Sequence, residues 1–266
     1  MTTQVEIFRR LHASGCFVMP NPWDLGSATL LDQMGFPALA TTSAGHAWSR
    51  ARADGHVRLE DMLAHFREMA AHVHVPLNGD FEGGYAVEPA DVAANVARAA
   101  ETGVAGLSIE DSTGDPAKPL HDFALSVERV RAARRALEAS GVVFTARSEG
   151  FVAGRPDLKE TIRRLTAYAE AGADCLYAPG LRTEEEVAAV VRAVSPKPVN
   201  VLAAANFTTV PRLRDLGVRR ISTGGALARV ALTAFLAAAR EIAKDGTLTA
   251  LEGIVTNREL NGMLGT

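Results

Sequence analysis

Leu77-Asn78-Gly79-Asp80-Phe81-Glu82-Gly83-Gly84-Tyr85, followed one β/α unit later by Leu107-Ser108-Ile109-Glu110-Asp111, is the stretch from which the fold can be read. Both runs begin apolar and end in carboxylates, as buried parallel strands do when they deliver acidic groups to one rim of a barrel. Carboxylates crowded at such a rim repel one another and lose hydration. A hard divalent cation or a proton among them relieves both costs, so a metal site is expected here.

On either side, short β-rich runs alternate with longer helical stretches rich in Ala, Leu, Arg and Glu. Strands are expected at 17–21, 38–42, 76–80, 106–110, 142–147, 175–178, 198–201 and 220–222. Eight strands, each followed by a helix-length segment within 266 residues, predict an α/β chain closed into a (β/α)8 TIM barrel rather than an open sheet. Glycines at 35, 103, 141, 172 and 217 sit just before strands, where a left-handed residue stops the preceding helix. No Pro/Ser-rich linker or low-complexity tract interrupts the pattern, so residues 1–266 read as a single domain. The last barrel helix is expected at 226–244. Asp245-Gly246-Thr247 then breaks it, and a helical tail from about 245 carries Leu248, Leu251 and Ile254, which need something to pack on.

The net charge of −3 and the lack of a basic stripe argue against nucleic acid or a membrane surface as partner. Arg131, Arg134 and Arg135 read as the solvated face of a helix. Two cysteines, Cys16 and Cys175, are too few and too far apart for a disulfide framework or a thiolate metal site. Both fall at strand starts, the stability face of a barrel. No run of about eighteen apolar residues is present, and the first residues lack a basic stretch leading into an apolar one. A cytoplasmic protein is expected.

In a barrel, chemistry is read at the carboxyl ends of the strands. Those positions hold Trp23 and Asp24, then Ser43, Gly45 and His46, then Asp80 and Glu82, Glu110 and Asp111, Arg147 and Glu149, Asn200, and the pair Gly224-Gly225. Several carboxylates, one buried-looking arginine, a hydroxyl and an amide suit a small anionic substrate chelated to a metal. Arg147 would neutralise a second carboxylate through its forked donors.

Asp80-Phe81-Glu82-Gly83-Gly84-Tyr85 resembles the acidic-x-acidic-x-Gly-Tyr motif of the isocitrate lyase/phosphoenolpyruvate mutase superfamily. The spacing to Ile109-Glu110-Asp111, to Ala146-Arg147 and to Tyr168-Ala169-Glu170-Ala171-Gly172-Ala173-Asp174 is similar too, and the likeness runs from Asn21 to about Ala228. By that resemblance Asp80 and Glu82 are metal-associated acids, and Glu110 helps to hold hydrated Mg2+, for which Mn2+ is the substitute. Asp54 is a further acid in the loop after the second strand. Ser43, Ala44 and Gly45 receive the substrate carboxylate, and Arg147 binds substrate. The resemblance also implies a homo-oligomer, tetramer or dimer, with an exchanged C-terminal helix.

The departures narrow the branch. Lyases acting on isocitrate or methylisocitrate carry a Lys-x-Cys-Gly-His loop after the fourth strand; here the stretch reads Ser112-Thr113-Gly114-Asp115-Pro116-Ala117-Lys118-Pro119-Leu120-His121, without cysteine. It also lacks the asparagine typical of the phosphonopyruvate-forming mutases. Ser148-Glu149 stands where Thr-Asp is usual. What remains is similar to the branch of oxaloacetate decarboxylases and related 2-keto-acid enzymes.

The expected sites are therefore catalytic Arg147, Glu110 and Asp54; substrate-binding Ser43, Ala44, Gly45, Arg147 and Asn200; and metal-binding Asp80, Glu82 and Glu110. Plainer roles compete with several. Ala53-Asp54-Gly55 is also a turn sequence, Arg147 could be a structural ion pair with Glu149 or Glu110, and Asn200 could serve backbone groups at the rim. Asp24 reads as a helix cap. His46 and His121 are candidate proton carriers or ordinary loop histidines, and His65, His72 and His74 have no catalytic part. The function expected is a Mg2+-dependent carbon–carbon lyase or decarboxylase working through a stabilised enolate on a small 2-keto or 2-hydroxy dicarboxylate. A carbon–phosphorus enzyme and a non-catalytic keto-acid binder are the alternatives.

Overall fold

The computed structural model describes residues 2–204 and 207–265. Eight parallel strands lie within a residue or two of the expected positions: β1 (Phe17–Met19), β2 (Leu39–Ala40), β3 (Leu77–Asp80), β4 (Gly106–Glu110), β5 (Val143–Arg147), β6 (Cys175–Tyr177), β7 (Val199–Leu202) and β8 (Arg220–Ser222). Their order, β1-β8-β7-β6-β5-β4-β3-β2, wraps the sheet around until β1 and β2 face each other. There the ladder gives way to one backbone bond, Ala40 N–H to Pro20 O at 3.1 Å, and one side-chain bond, Asn21 Nδ2 to Thr41 O at 2.8 Å. The result is the nearly closed (β/α)8 barrel that the strand count predicts.

Between the strands run α1 (Gln4–Ala13), α2 (Leu25–Gln33), α3 (Ser43–Ser49), α4 (Leu59–His72), α5 (Pro89–Ala100), α6 (Phe123–Ala136), α7 (Leu158–Glu170), α8 (Glu184–Val194) and α9 (Val210–Asp215). Local chemistry sets their starts. Thr3 with Glu6 and Thr183 with Glu186 form reciprocal capping boxes, and the Asp24 carboxylate accepts Ser27 N–H, the cap role its position predicts. Proline opens α5, where its missing N–H costs nothing. Met62, Leu63, Phe66 and Met69 form the fully buried stripe of α4, each worth about 1.5–3 kcal/mol relative to exposure. Gly172 closes α7 at φ 104°, where a Cβ would stand 2.8 Å from Arg134 Cγ. Arg134 is half-buried and pairs with Asp174 at 3.1 Å, so the arginine-rich face of α6 is not wholly solvated.

The base of the barrel is plugged by α1. Phe8 and His12 meet edge to face at 4.6 Å and both pack on Phe17, the first residue of β1. Cys175 is buried and Cys16 partly so, and both thiols are free.

The C-terminal part departs from a simple ring. α10 (Ala226–Asp245) ends at Gly246 in the left-handed conformation, as the sequence predicts, yet it buries only Ala228. Val230 and Phe235 are 67% and 65% exposed. A single turn at Thr249–Leu251 and α11 (Asn257–Leu264) follow, with α11 resting against α2. Leu248, Leu251 and Ile254 remain exposed, so the uncovered apolar surface begins inside α10 and is larger than the tail alone implies. Among the described residues no helix is long and apolar enough to cross a membrane.

Candidate active site

Alternation along the strands puts every second side chain in the barrel interior. Glu110, Arg147, Tyr177, Asn200, Arg220 and Phe17 are successive Cα partners across β4, β5, β6, β7, β8 and β1. Because strands in a barrel are staggered, a row of such partners descends as it goes round. This one starts at the last residue of β4, on the rim, and ends at the first residue of β1, against the α1 plug.

Arg147 is the hub of the rim. Its Nη1 donates to Asp80 Oδ1 at 2.7 Å, its Nε to Glu149 Oε1 at 3.0 Å, and its Nη2 lies 3.0 Å from Glu110 Oε2. The guanidinium also lies 5.1 Å from the centre of the Tyr177 ring. The structural ion pair left open by the sequence is thus present, with three carboxylates rather than one. The other Asp80 oxygen accepts Ser43 N–H at 3.0 Å, tying β3 to the start of α3.

Asp54, Glu82 and the three Arg147 partners border two chambers of about 260 and 600 Å3 that share Ser43, Asp54, Arg147 and Glu149 in their walls. Five acids around Arg147, with Arg129 and Arg220 further along the walls, leave an excess of negative charge, and burial amplifies it. Burial and then Asp80 push the Glu82 carboxyl up to about 7. Burial likewise raises Glu110 in spite of Arg147, raises Glu149, and with Asp80 raises Asp54. Burial opposes the charge on Arg147, but Glu110, Glu149 and Asp80 outweigh it and hold the guanidinium protonated.

A pH effect follows. With its folded pKa above the unfolded one, Glu82 keeps a proton between about 4.5 and 7 that the unfolded chain releases. The contribution of Glu82 to the stability of the metal-free protein should therefore fall as pH rises through that window, by on the order of 3 kcal/mol, and level off above it, while the buried histidines, whose pKa values are lowered, contribute in the opposite direction. Mg2+ should bind more tightly as the same protons leave. Urea titrations of the intact protein and of Glu82→Gln at pH 5.5 and 7.5, with and without MgCl2, check both: the metal-free intact protein should lose stability relative to Glu82→Gln at the higher pH, and a difference that does not change with pH would contradict the assignment.

The Glu82 segment is held from behind. Glu82 and Tyr85 adopt left-handed φ values of 48° and 58°, and the Tyr85 hydroxyl donates to Glu82 Oε1 at 3.0 Å. Arg129 of α6, buried and lacking a carboxylate partner among the described residues, donates to the carbonyls of Gly83, Ala86 and Val87. Sequence reasoning passed over it. The available signal was its place in the buried stripe Ser126, Arg129, Val130, Ala133, where an arginine is out of character.

Asp111 does not join the rim acids. Next after Glu110, it points outward and accepts Glu149 N–H at 2.8 Å, Arg164 Nη1 at 3.0 Å and the Tyr168 hydroxyl at 2.7 Å. Ser43 and Ala44 line the smaller chamber. Gly45 N–H is instead taken by Thr42 Oγ1 at 3.3 Å, and a Cβ on Gly45 would stand 2.8 Å from Trp23 Cβ, so this glycine serves close packing. Asn200 bonds to Ser222 Oγ and Arg220 rather than to backbone. His46 is no loop residue: it lies in α3, buried and stacked at 3.7 Å on His65. His121 is buried beside the larger chamber, and burial lowers its pKa. The segment before it closes on itself through a Ser112–Leu120 bridge and Thr113 N–H to Pro119 O at 3.0 Å.

Hard oxygen donors with excess charge fit Mg2+ at Asp80, Glu82 and Glu110. Among the described residues no three His, Cys, Asp or Glu side chains converge into a ready-made cage. Mg2+ needs none, since it keeps several waters and takes one or two carboxylates.

Comparison with known proteins agrees with this architecture. The crystal structure of a putative lyase/mutase from Burkholderia cenocepacia J2315 superposes with a TM-score of 0.94 at 45% identity, covering 99% of this chain and 96% of that one. The structure of 2,3-dimethylmalate lyase, described as a PEP mutase/isocitrate lyase superfamily member, gives 0.86 at 27%, covering 99% and 95%. An uncharacterized protein of Mycobacterium tuberculosis is 34% identical over 241 residues, 90% of this chain and 89% of its own. The oxaloacetate decarboxylase of Pseudomonas entomophila is 28% identical over 228 residues, 82% and 78% of the two chains. With residues 8–243 matching the family model Phosphoenolpyruvate phosphomutase as well, the chain belongs to that family, within the PEP mutase/isocitrate lyase superfamily.

Proposed function

We propose that the chain is a Mg2+-dependent carbon–carbon lyase or decarboxylase acting on a small 2-keto or 2-hydroxy dicarboxylate. The observation that carries this reading is the excess of carboxylates gathered on one buried arginine, beside Ser43, at the rim of the barrel. Asp80, Glu82 and Glu110 would hold the cation. A cation held there would supply a Lewis acid toward the keto oxygen, the electron sink needed for cleavage of the bond beyond the adjacent carbon. Ser43 and Ala44, lining the chamber, receive the substrate carboxylate, and Arg147 exchanges one of its acid partners for it. Glu82, titrating near neutrality, can accept or return a proton. Asp54 closes the mouth from the loop after β2.

No cysteine lies in 112–121, so decarboxylation or a simple retro-aldol cleavage needs fewer groups than the isocitrate-type reaction. The family match keeps phosphonopyruvate chemistry as the second reading. A metal-dependent screen over oxaloacetate, methylisocitrate, dimethylmalate and phosphonopyruvate decides: turnover of a carbon–carbon substrate is expected, phosphate release would favour the second reading, and binding without turnover of any would favour a keto-acid binder. Calorimetry should also show oxalate binding at least about tenfold more tightly with MgCl2 than without. Equal affinity would sink the chelation.

The reading extends to assembly and location: one domain in a cytoplasmic homo-oligomer, dimer or tetramer, its α10 and tail exchanged between subunits. The exposed faces of α10 and 248–255 support it. Truncation after Lys244 should lower the mass in light scattering. An unchanged mass would remove the tail from the interface.

A further inference from the structure

Arg220 sits inside the barrel, 2% exposed, two residues below Ser222 on β8. Its Nε donates to Asn200 Oδ1 at 2.9 Å, its Nη2 to Thr145 Oγ1 at 2.9 Å, and its Nη1 lies 3.3 Å from His12 Nε2. All three partners are neutral. His12 bonds through Nδ1 to Phe8 O at 2.7 Å, and burial together with Arg220 lowers its pKa to about 3, so it accepts through Nε2. Those bonds use three of the five N–H donors of a guanidinium. Among the described residues no carboxylate pairs with it. A buried cation without a counter-ion is costly, and an aliphatic side chain would fill the same space without that cost.

The charge along the cavity gives this arginine a use. At the mouth, Asp80, Glu110 and Glu149 share Arg147, so acid is in excess. At the floor, Arg220 has only neutral company. Arg147, Asp80 and Glu149 at one end and Arg220 at the other line one cavity of about 260 Å3, whose intervening wall includes Asn200, Ser222 and the apolar Leu202. The descending row Arg147, Tyr177, Asn200, Arg220 runs from one end to the other.

We propose that Arg220, with Asn200 and Ser222, binds the distal carboxylate of a short diacid whose keto-acid end lies at Ser43 and Arg147. This rests on the metal-site reading above and adds the element that selects the substrate: a 2-keto diacid over a 2-keto acid with a neutral tail. The two unassigned N–H donors of Arg220 are the ones a carboxylate would take, and its charge offsets the desolvation of the buried cation.

The test compares three ligands in MgCl2 by calorimetry: oxalate, too short to reach the floor, and the matched pair 2-oxoglutarate and 2-oxopentanoate. The diacid should bind the intact protein about tenfold or more tightly than its neutral-tailed counterpart. Arg220→Gln should erase that preference while oxalate affinity changes by less than about threefold. If Arg220→Gln does not fold, Asn200→Asp serves: it is isosteric and supplies the missing counter-ion, so Tm should hold or rise while diacid preference is lost. A diacid preference that survives a folded Arg220→Gln or Asn200→Asp, or that is absent from the intact protein, overturns the assignment. Failure of oxalate itself to bind with Mg2+ would remove the metal-site reading, and this one with it, whereas oxalate binding without diacid preference removes this one alone.

Discussion

Arg147→Met should destabilise the metal-free protein by about 3–5 kcal/mol, because Asp80, Glu110 and Glu149 lose their common cation while remaining in a poorly hydrated rim. Part of the loss should return on adding MgCl2, since a divalent cation bound only by the folded state stabilises it by mass action. Arg147→Lys is the sharper probe of chemistry. An ammonium keeps the charge but cannot address three carboxylates from three directions in one plane. The expected result is a modest loss of stability with a fall in kcat/KM of about a hundredfold or more, roughly 2.7 kcal/mol of transition-state stabilisation. Urea unfolding with and without metal, together with initial rates, separates the two effects. An Arg147→Lys protein with unaltered substrate affinity and turnover would end the substrate-binding assignment.

The second large effect is expected at Asp111, which touches neither chamber yet fixes one wall of the site. Asp111→Ala leaves Glu149 N–H and the Tyr168 hydroxyl without their acceptor and deprives Arg164 of one of its two carboxylates, the other being Glu160 at 2.8 Å. Two orphaned buried donors and a half-paired buried arginine should cost about 3–5 kcal/mol. Asp111→Asn keeps an acceptor in place and should cost about half as much. Because Glu149 is held through its backbone, its carboxylate should also drift from Arg147 Nε, raising KM in the alanine variant. Chemical denaturation and rates on both variants test this. A stability change under about 1 kcal/mol in Asp111→Ala would show that the network is not needed.

The barrel was legible in the sequence because its signal is repeated: eight apolar runs, each followed by a helix-length segment, fix count and order together. Asp80, Glu110 and Arg147 were legible for the same reason, since a strand that ends in a charge places it at the rim. The outward turn of Asp111 was not legible, because one residue of register separates inside from outside, and an acidic pair at a strand end does not say which member turns in. Arg129, Arg164 and Arg220 went unread for a different reason. Each occupies a position whose period is apolar, and a pattern of apolar positions records an arginine there as a mismatch rather than as a buried charge with partners far off in the chain. His46 was misplaced because α3 is a single short helix started by the Thr42 cap, too brief to show periodicity.

Asn21 makes the closure of the barrel unusual in mechanical terms. At most seams two backbones hold each other by several rungs, but here a single backbone bond, Ala40 N–H to Pro20 O, is joined only by one amide side chain, which grips Thr41 O on the β2 side and accepts Thr223 and Gly224 N–H on the β8 side. A side chain is a compliant strut, since it can lengthen by a rotation about χ1 where a ladder must break a bond. The cylinder is therefore softest along one longitudinal line, and α3, with Ser43 at its start, hangs directly beside it. Slow amide exchange should fade toward residues 39–42 before it fades anywhere on β4 or β5, so the circumference opens next to the Ser43 hydroxyl while the acid-bearing side stays stiff.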